Sequence, residues 1–453
     1  MVVLSNIHMI SDGKLAMILI TTLLFITFVD SQFINLFYAT GLGSPSNLNL
    51  ILFISFVVVA LIINIFLLKL VKSNNIEAKT TRPTLFKVVY FGTLCVQCIL
   101  LMLLVISTLE MIVLHHYNKQ LSLLITYFSH IWSAIVLGFL TLNFVQWLKF
   151  SRSYSIIVYA IAYSIIVLLI ILTIPILTEQ VNNQSALIYP LDYTTLVVSI
   201  ITPSPDVSFL YAIGGFVLPL MILVTWTITV SFLKSYINKI GRLKFWLIVS
   251  IPLFYEFLTF VVKNTNLITD PNLVQIIYSQ QFQFVFAISY QVSGLFFAIA
   301  YFNLARKMKQ KAMKTYLMIS AIGIATLLSS IQPGLPFYAA YPPFGTVTVS
   351  YLGLSSYLLL VGMLGSATYL SRDSELRKEI YRNLELDSTF LRNIGMAEMQ
   401  REIERKILPL HQKIDAFEER KGIAEFDEAE IKMVINDVIN ELHSKKSDVK
   451  LEK

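Results

Sequence analysis

A series of long apolar runs constrains this chain more than any other feature. An α-helix rises 1.5 Å per residue, so about 20 apolar residues cross the ~30 Å hydrocarbon core of a bilayer. Ten suitable runs occur, at residues 15–38, 50–71, 85–114, 121–147, 154–177, 209–232, 245–262, 282–302, 315–331 and 347–370. They predict an all-α fold, a polytopic transmembrane bundle of about ten helices within a membrane domain of residues 1–371.

The composition excludes an aqueous globule. Hydrophobic residues make up 56% of the chain and charged residues 14%, whereas soluble domains carry about 25% charged residues. The first run lacks a small-residue cleavage site, so we expect a retained span rather than a signal peptide. Cys95 and Cys98 lie in one apolar run, which excludes a disulfide scaffold and predicts two buried free thiols.

The loops between the runs alternate in charge, and this alternation orients the chain. One set carries sixteen basic residues: Lys69, Lys72, Lys79, Arg82, Lys87, Lys149, Arg152, Lys234, Lys239, Arg242, Lys244, Arg306, Lys307, Lys309, Lys311 and Lys314. The other set carries two, Lys119 and Lys263. Because basic loops stay on the cytoplasmic side, both termini are predicted to be cytoplasmic, in a multi-pass protein of the cell membrane. The basic charge thus orients the chain in the lipid bilayer and indicates no nucleic-acid partner.

The longest predicted external loop, residues 178–208, carries a modification candidate. It contains the sequence Asn183-Gln184-Ser185, which has the pattern of an N-glycosylation acceptor. Asn183 is therefore a glycosylation candidate, and a chance match is the alternative.

Residues 372–453 form a predicted cytoplasmic tail of charged helical character. Apolar residues recur there at close to helical spacing: Leu376, Ile380, Leu384, Leu391, Ile394, Met399, Ile403 and Ile407. Charged residues such as Glu398 and Arg401 are predicted to line the outer faces of this helix. Pro409 is predicted to end it.

Two interpretations of the tail stay open. In one, a signalling helix of coiled-coil type continues the tenth span and binds a second copy or a cytoplasmic protein through residues 372–408. In the other, an anchor helix packs on the basic cytoplasmic loops. Neither is catalytic, because the tail lacks a Gly-rich phosphate loop and is too short for a nucleotide-binding kinase domain with its substrate helix. No catalytic residue and no cofactor is predicted.

Part of the last run and the tail resembles a group of membrane proteins. The segments SYLGLSSYLLL (residues 350–360), SRDSELRKEI and NIGMAEMQREIE resemble the last span and tail of uncharacterised multispan membrane proteins of ammonia-oxidising archaea. The resemblance covers residues 341–408. It implies an archaeal cytoplasmic membrane and carries no catalytic or binding residues with it.

Ionisable side chains inside the predicted spans are candidate functional residues, because a charge in lipid is costly. Glu256 lies about 18 Å along the seventh span from Lys244, with Pro252 one turn below it. A neutral structural carboxyl is the alternative for Glu256. Asp30, in the outer third of the first span, is a second candidate.

Glu110 and His130 are two further candidates. Glu110 lies in the outer third of the third span, shortly before His115 and His116, and His130 lies on the returning fourth span. A carboxylate with imidazoles binds metals or relays protons. Glu110 and His115 are five residues apart, however, off the i+3 or i+4 spacing that places two side chains on one helix face. We therefore predict an interfacial polar cluster and no metal site.

Two spans carry polar or small residues on one face. Gln283, Tyr290 and Ser293 form a stripe on the eighth span that is predicted to line a cavity or to pack against protein. Gly362 and Ser366 in the tenth span form a small-xxx-small pattern, which permits close helix packing.

Two classes of function survive. The favoured one is a sensor, receptor-like or scaffold protein that relays through its tail, and it requires a helix leading from the tenth span into the tail. The alternative is a secondary transporter, with spans one to five and six to ten forming an inverted repeat. An enzyme is the least favoured class.

Overall fold

Helices make up nearly all of the chain that the computed structural model describes. The described residues are 21–30, 47–74, 83–114, 118–182, 205–233, 237, 241–250, 253–254, 280–331, 342–373 and 389–419. No strand occurs within these ranges. The predicted all-α class is confirmed.

Helices occur at each of the ten predicted runs and in the tail. They are α1 (Thr21–Asp30), α2 (Asn47–Asn74), α3 (Pro83–Leu114), α4 (Lys119–Phe150), α5 (Tyr154–Asn182), α6 (Pro205–Leu233), α7 (residues 242–250), α8 (Gln280–Lys307), α9 (Lys311–Ser330), α10 (Thr346–Arg372) and α11 (Thr389–Glu419). The last span, α10, has a short part, Thr346–Ser350, and a longer part, Leu352–Arg372. Tyr351 joins them with a right-handed helical backbone.

Six of the described helices, α2, α3, α4, α5, α9 and α10, are long and apolar enough to cross a membrane, by length and composition. Large apolar side chains remain exposed along several of them, among them Leu48, Ile62, Phe91, Met102 and Ile135. A single exposed leucine means little, but rows of them along long helices are typical of a surface that meets lipid. The chain is a helical membrane protein.

Local sequence explains how α4 begins and how two other helices tolerate proline. The Oδ1 atom of Asn118 accepts a hydrogen bond from the Gln120 N–H at 2.9 Å, which caps the first turn of α4. Pro175 and Pro219 lie inside α5 and α6. Membrane helices accept proline where neighbouring groups take up the freed carbonyl.

The last span lies at the centre of the bundle. It packs against α9, α4 and α3. Around it, α2, α3, α4, α5, α6, α8 and α9 form an arc in which each helix packs against the next. Every residue from 342 to 368 is buried. This span therefore meets protein on all sides, whereas α2, α3, α4, α5, α6 and α8 also expose apolar side chains.

Glycine allows α9 and α10 to approach closely. A Cβ atom on Gly323 of α9 would lie 2.7 Å from the backbone nitrogen of Leu359. A Cβ atom on Gly362 of α10 would lie 2.7 Å from the backbone nitrogen of Ser320. Backbone atoms cannot move aside without separating the helices, so both positions favour glycine. Gly362 belongs to the small-residue pattern that predicts such packing.

Contacts at two levels of α10 fix the direction of its neighbours. Phe53 of α2 packs against Phe344, and Ala60, further along α2, accepts a hydrogen bond from Tyr351, further along the chain from Phe344. The contacts follow the same order on both helices, so α2 and α10 are parallel. The contacts of α4 with α10 also follow the same order along both helices, so α4 is parallel to α10. The contacts of α3 and of α9 with α10 follow the reverse order, so these two helices are antiparallel to it. Helices α2, α4 and α10 thus share one direction, and α3 and α9 share the other.

The helix ends on either side of the tail junction differ from prediction. The longer part of α10 ends at Arg372, where the extended backbone of Asp373 donates its N–H to the Tyr369 carbonyl and closes the last turn. The expectation of one continuous helix from the tenth span into the tail is therefore wrong at Asp373. The predicted end at Pro409 is also wrong, because α11 continues to Glu419. Proline costs a helix one hydrogen bond, and the turns on both sides retain theirs.

The chain divides into two units by its contacts, residues 1–398 and residues 399–453. The first unit contains the bundle and the first turns of α11. Within the described residues, the second unit is the remainder of α11, to Glu419. The predicted boundary between membrane domain and tail, at residues 371 and 372, stays a prediction.

Candidate functional site

Asp30 binds the start of the last span. Its Oδ1 accepts a hydrogen bond from the Gly345 N–H at 3.0 Å, and its Oδ2 accepts from the Thr348 N–H at 2.8 Å and the Thr348 hydroxyl at 2.7 Å. Asp30 is fully buried. The first N–H groups of a helix have no partner within the helix, and its dipole favours an anion there. The carboxylate thus satisfies the start of α10 and joins it to α1.

The turn that presents these N–H groups is held in place by its own residues. Gly345 has φ 88°, in the left-handed region that favours glycine. The preceding Phe344 packs edge to face against Phe53 and Phe56 of α2, with ring centroids 5.8 and 6.1 Å apart. The Asp30 contact is therefore set on a fixed turn.

Hydroxyl groups join α4 to the N-terminal half of α10. Ser129 donates to the Val349 carbonyl at 2.5 Å, and the hydroxyls of Ser133 and Ser356 are hydrogen-bonded to each other. All four residues are buried. Interhelical bonds of this kind help to hold membrane helices together, because lipid offers a polar group no partner.

Two further polar contacts join α10 to α3 and α2. Gln97 of α3 donates to the Ser350 carbonyl at 3.4 Å, and the Tyr351 hydroxyl donates to the Ala60 carbonyl of α2 at 2.9 Å. The Ala60 carbonyl also accepts from the Asn64 Nδ2–H of its own helix at 3.1 Å. With Asp30 and the serines of α4, these bonds tie the N-terminal half of α10 to four neighbouring helices.

A tyrosine pair lies beside the C-terminal half of the last span. The hydroxyls of Tyr301 on α8 and Tyr159 on α5 are hydrogen-bonded at 2.8 Å, and the Met363 Sδ atom of α10 lies 3.7 Å from the Tyr301 hydroxyl. Both tyrosines are buried. The pair therefore connects two outer helices at the level of the central one.

The first turns of the tail helix pack into the same end of the bundle. The Phe390 ring stacks on Tyr159 with centroids 4.0 Å apart, and on Phe144 at 6.4 Å. A Cβ atom on Gly395 would lie 2.6 Å from the Cγ of Leu370, near the end of α10. We name Phe144, Trp147, Tyr159 and Leu370 the tail-helix socket. They link the tail to α4, α5 and α10.

Glu398 makes the polar contact in this socket. Its Oε2 accepts a hydrogen bond from the Trp147 indole Nε1–H at 2.7 Å, and both side chains are buried. The prediction that Glu398 lines the outer face of the tail helix is therefore wrong. Glu398 lies one turn after Ile394, so it shares the face that packs inward, and the indole supplies the donor that its carboxylate needs.

Glu110 and His130 have separate local roles. The Glu110 Oε2 accepts from the Asn118 N–H at 3.1 Å and so ties the end of α3 to the start of α4. The buried His130 donates from Nδ1 to the Thr126 carbonyl of its own helix at 2.8 Å. His115 and His116 lie outside the described residues. Among the residues that the structure describes, no three His, Cys, Asp or Glu side chains are grouped as a metal ion would require.

Several predicted candidates fall where the structure gives no side chain. Glu256 and Asn183 lie outside the described residues. Gln283, Tyr290 and Ser293 lie on α8, whose backbone is described there while these side chains are not. Their roles as functional, glycosylation and cavity-lining residues stay predictions.

The two cysteines are free, and they are not both buried. Cys95 is half-buried and Cys98 is exposed on α3. The prediction of two buried thiols is therefore wrong: Cys95 is only half-buried, and Cys98 lies beside Ile99 and Met102, which are also exposed. Cys98 belongs to the apolar outer face of this helix.

Sequence reasoning found one member of the site and missed its partners. Asp30 is recognisable because it is a carboxylate in an apolar run. Thr348 and Trp147 carry no such signal, since hydroxyls and indoles are ordinary in membrane helices. A weak signal for Glu398 exists, because it lies four residues after Ile394 in the apolar pattern of the tail.

Comparison with protein-family models, curated proteins and solved structures gives no match to this chain.

Proposed function

We propose that this protein is a membrane sensor or scaffold in which the last span couples its Asp30 end to the tail helix. The observation that carries the proposal is the position of α10. It is buried from Thr346 to Thr368, bound at its first turn by Asp30, and in contact with the tail helix through Leu370 near its last turn. Ten spans with both termini cytoplasmic are part of the proposal.

The helix directions support this topology. In a chain of ten consecutive spans, even-numbered spans share one direction and odd-numbered spans the other. Helices α2, α4 and α10 are parallel, and α3 and α9 oppose them. An odd number of spans between α4 and α9 would reverse α9, so its direction supports the four spans predicted between them. The basic loops then orient this alternation with the tail in the cytoplasm.

The packing gives the coupling a physical basis. Close-packed interfaces move between discrete arrangements rather than deforming continuously. Gly323 and Gly362 bring the backbones of α9 and α10 together, so α10 cannot shift without disturbing its neighbours. Leu370, near its last turn, lies against Gly395 of the tail helix. Because α10 ends at Arg372, the proposed relay passes through this packing contact and not through one continuous helix from the tenth span into the tail. A displacement that begins at Asp30 would therefore alter the surface on which the tail helix packs.

The tail provides the proposed output. Its docked face includes Phe390, Leu391, Ile394 and Ala397, all buried in the bundle. When the tail helix leaves the socket, this apolar face becomes available to a second copy or to a cytoplasmic protein through residues 372–408. A sensor of this kind needs no catalytic group of its own.

A double-mutant cycle tests the coupling without knowledge of the stimulus. The full-length protein, with Cys95 and Cys98 replaced by alanine, carries Ala397→Cys as its only thiol. The rate at which a water-soluble thiol reagent modifies residue 397 reports the undocked fraction of the tail helix. We would measure this rate in bilayer nanodiscs for Asp30→Asn, for Trp147→Phe and for the double variant.

The relay predicts that Asp30→Asn raises the modification rate, although residue 30 is far from residue 397 along α10. We expect an increase of about fivefold or more and a non-additive double variant, with an interaction of about 1 kcal/mol. Glu110→Gln is the matched control, since it alters a carboxylate that binds no residue of α10, and it should leave the rate unchanged. An unchanged rate in Asp30→Asn, together with a raised rate in Trp147→Phe, would refute the relay.

The transporter alternative receives less support from the packing. An inverted repeat of five and five spans would give α5 the neighbours that correspond to those of α10, namely α4, α9 and α8. The main neighbours of α5 among the described helices are α4 and α6. Substrate transport in proteoliposomes that depends on Glu256, without any change in the docking of the tail helix, would favour the transporter instead.

A further inference from the structure

The turn between α8 and α9 concentrates positive charge at one end of the bundle. Five basic residues occur within nine positions, and no acidic residue lies among them: Arg306, Lys307, Lys309, Lys311 and Lys314. All five are exposed. We name these five side chains the basic turn. Lys69, Lys87 and Arg242, near the ends of α2, α3 and α7, are more widely separated from one another along the chain.

The basic turn lies at the level of lipid headgroups. The span α9 begins at Lys311, and its 20 residues are long enough to cross the hydrocarbon core. The cations at its start therefore lie where apolar chains give way to phosphates. Long basic side chains at the end of a membrane helix extend into this layer.

The turn is also held in place by its own packing. Met308 and Met313 alternate with the cations and are buried, at 6% and 0% exposure. The Met308 N–H donates to the Ala305 carbonyl at 3.2 Å, and the Lys314 N–H donates to the Gln310 carbonyl at 3.0 Å. The basic side chains thus project from an anchored backbone, which lowers the entropy lost when they bind a ligand together.

We propose that the basic turn is a binding surface for the phosphate-bearing headgroups of anionic phospholipids. Arg306, Lys311 and Lys314 add positive potential at this end of the bundle, and a bound anion would lower it. Lys311 and Lys314 lie in the first turn of α9, where the helix dipole adds to the positive potential. An anionic lipid supplies a phosphate at the depth of these cations, and its chains pack against the exposed apolar faces of the neighbouring spans. This inference does not depend on the proposed relay.

The test compares lipid retention by two charge-matched variants of the full chain. One is Arg306→Gln/Lys311→Gln/Lys314→Gln. The control is Lys69→Gln/Lys87→Gln/Arg242→Gln, which removes the same charge from exposed positions on three separate helices. Each protein is reconstituted in vesicles of roughly four parts phosphatidylcholine to one part phosphatidylglycerol and purified with its retained lipid. The measured quantity is the retained phosphatidylglycerol-to-phosphatidylcholine ratio relative to the vesicle.

We expect the unaltered protein and the control to be enriched in phosphatidylglycerol, and the basic-turn variant to lose that enrichment. Each basic residue near an anionic surface strengthens attraction by roughly fivefold, so three should lower the preference by about tenfold or more. Equal enrichment in all three proteins, or an equal loss in both variants, would overturn the proposal.

Discussion

The second and last spans are both long enough to cross a bilayer, yet they use their sequences in opposite ways. The α2 span has a mean hydropathy of 3.1, and 33% of the residues in its most apolar stretch are buried. The α10 span has a mean hydropathy of 1.7, and 100% of the residues in its most apolar stretch are buried. In an aqueous protein, the more apolar helix would be the interior one. Here lipid accepts the apolar side chains of α2, while α10 places serine, threonine and glycine inside protein.

The difference shows what holds this bundle together. Lipid chains are as apolar as leucine, so burial of α10 gains little from the removal of apolar surface from water. Its cohesion comes from close backbone contact at Gly323 and Gly362 and from hydrogen bonds such as that of Asp30. A substitution in α10 should therefore act through packing or polar pairing, whereas the same substitution on an exposed apolar face of an outer helix should matter little.

The largest expected effect comes from removing the carboxylate at the start of α10. Asp30→Ala leaves the buried N–H groups of Gly345 and Thr348 without their acceptor. Each orphaned buried group costs roughly 1–3 kcal/mol, so we expect a loss of about 4 kcal/mol in the free energy of unfolding. The measurement is reversible unfolding of the full chain in bilayer or detergent. Glu110→Ala removes one contact at a half-buried site and should cost less than about 1 kcal/mol; equal losses would contradict the special position of α10.

The next effect concerns the tail helix. Phe390→Ala removes the ring that stacks on Tyr159, and large-to-small changes at buried aromatic positions cost about 3 kcal/mol or more. The loss should be local, seen as faster hydrogen exchange and proteolysis within residues 389–398 while the bundle keeps its stability. Phe91→Ala, at a ring that is 66% exposed on α3, is the control and should leave the tail protected. Global unfolding in Phe390→Ala would indicate that the tail is part of the bundle core.

A glycine pair sharpens the contrast between the two kinds of span. In Gly362→Ala, the new Cβ meets the backbone of α9, and overpacking of this kind costs about 2 kcal/mol. A Cβ on Gly138 of α4 meets nothing within 4 Å, so Gly138→Ala should be neutral or should stabilise by up to about 1 kcal/mol through helix propensity. Thermal unfolding of both variants measures the difference, and the same sign for both would argue against close α9–α10 packing.

The sequence was sufficient to predict where the helices lie along the chain, but not which residues they contact. Apolar length located the runs because the bilayer imposes one thickness on every span. Asp30 was recognisable as a costly buried group, but its partner Thr348 lies 318 residues away, and no local pattern joins two such distant positions. The errors at Asp373 and Pro409 have a different cause. Both concern helix ends, where a single capping bond or the strength of flanking turns decides the boundary.

The smallest expected effect separates two indole hydrogen bonds of unlike chemistry. Trp147 donates to the carboxylate of Glu398 at 2.7 Å, whereas Trp132 of the same helix donates to the neutral Thr93 hydroxyl at 3.0 Å. Phenylalanine removes the donor in each case and keeps most of the ring. A bond to a charged group contributes about 2 kcal/mol and a neutral one about 1 kcal/mol, so Trp147→Phe should cost more than Trp132→Phe.

The two changes should also differ in what they destabilise. Trp147→Phe should act on the tail, because the buried carboxylate of Glu398 then loses a donor at the socket. Trp132→Phe should weaken the contact between α3 and α4 and leave the tail in place. Hydrogen exchange of residues 389–398 distinguishes the outcomes. If Glu398→Gln restores tail protection in Trp147→Phe, the loss came from an unpaired carboxylate, and the indole acts by satisfying that charge rather than by packing.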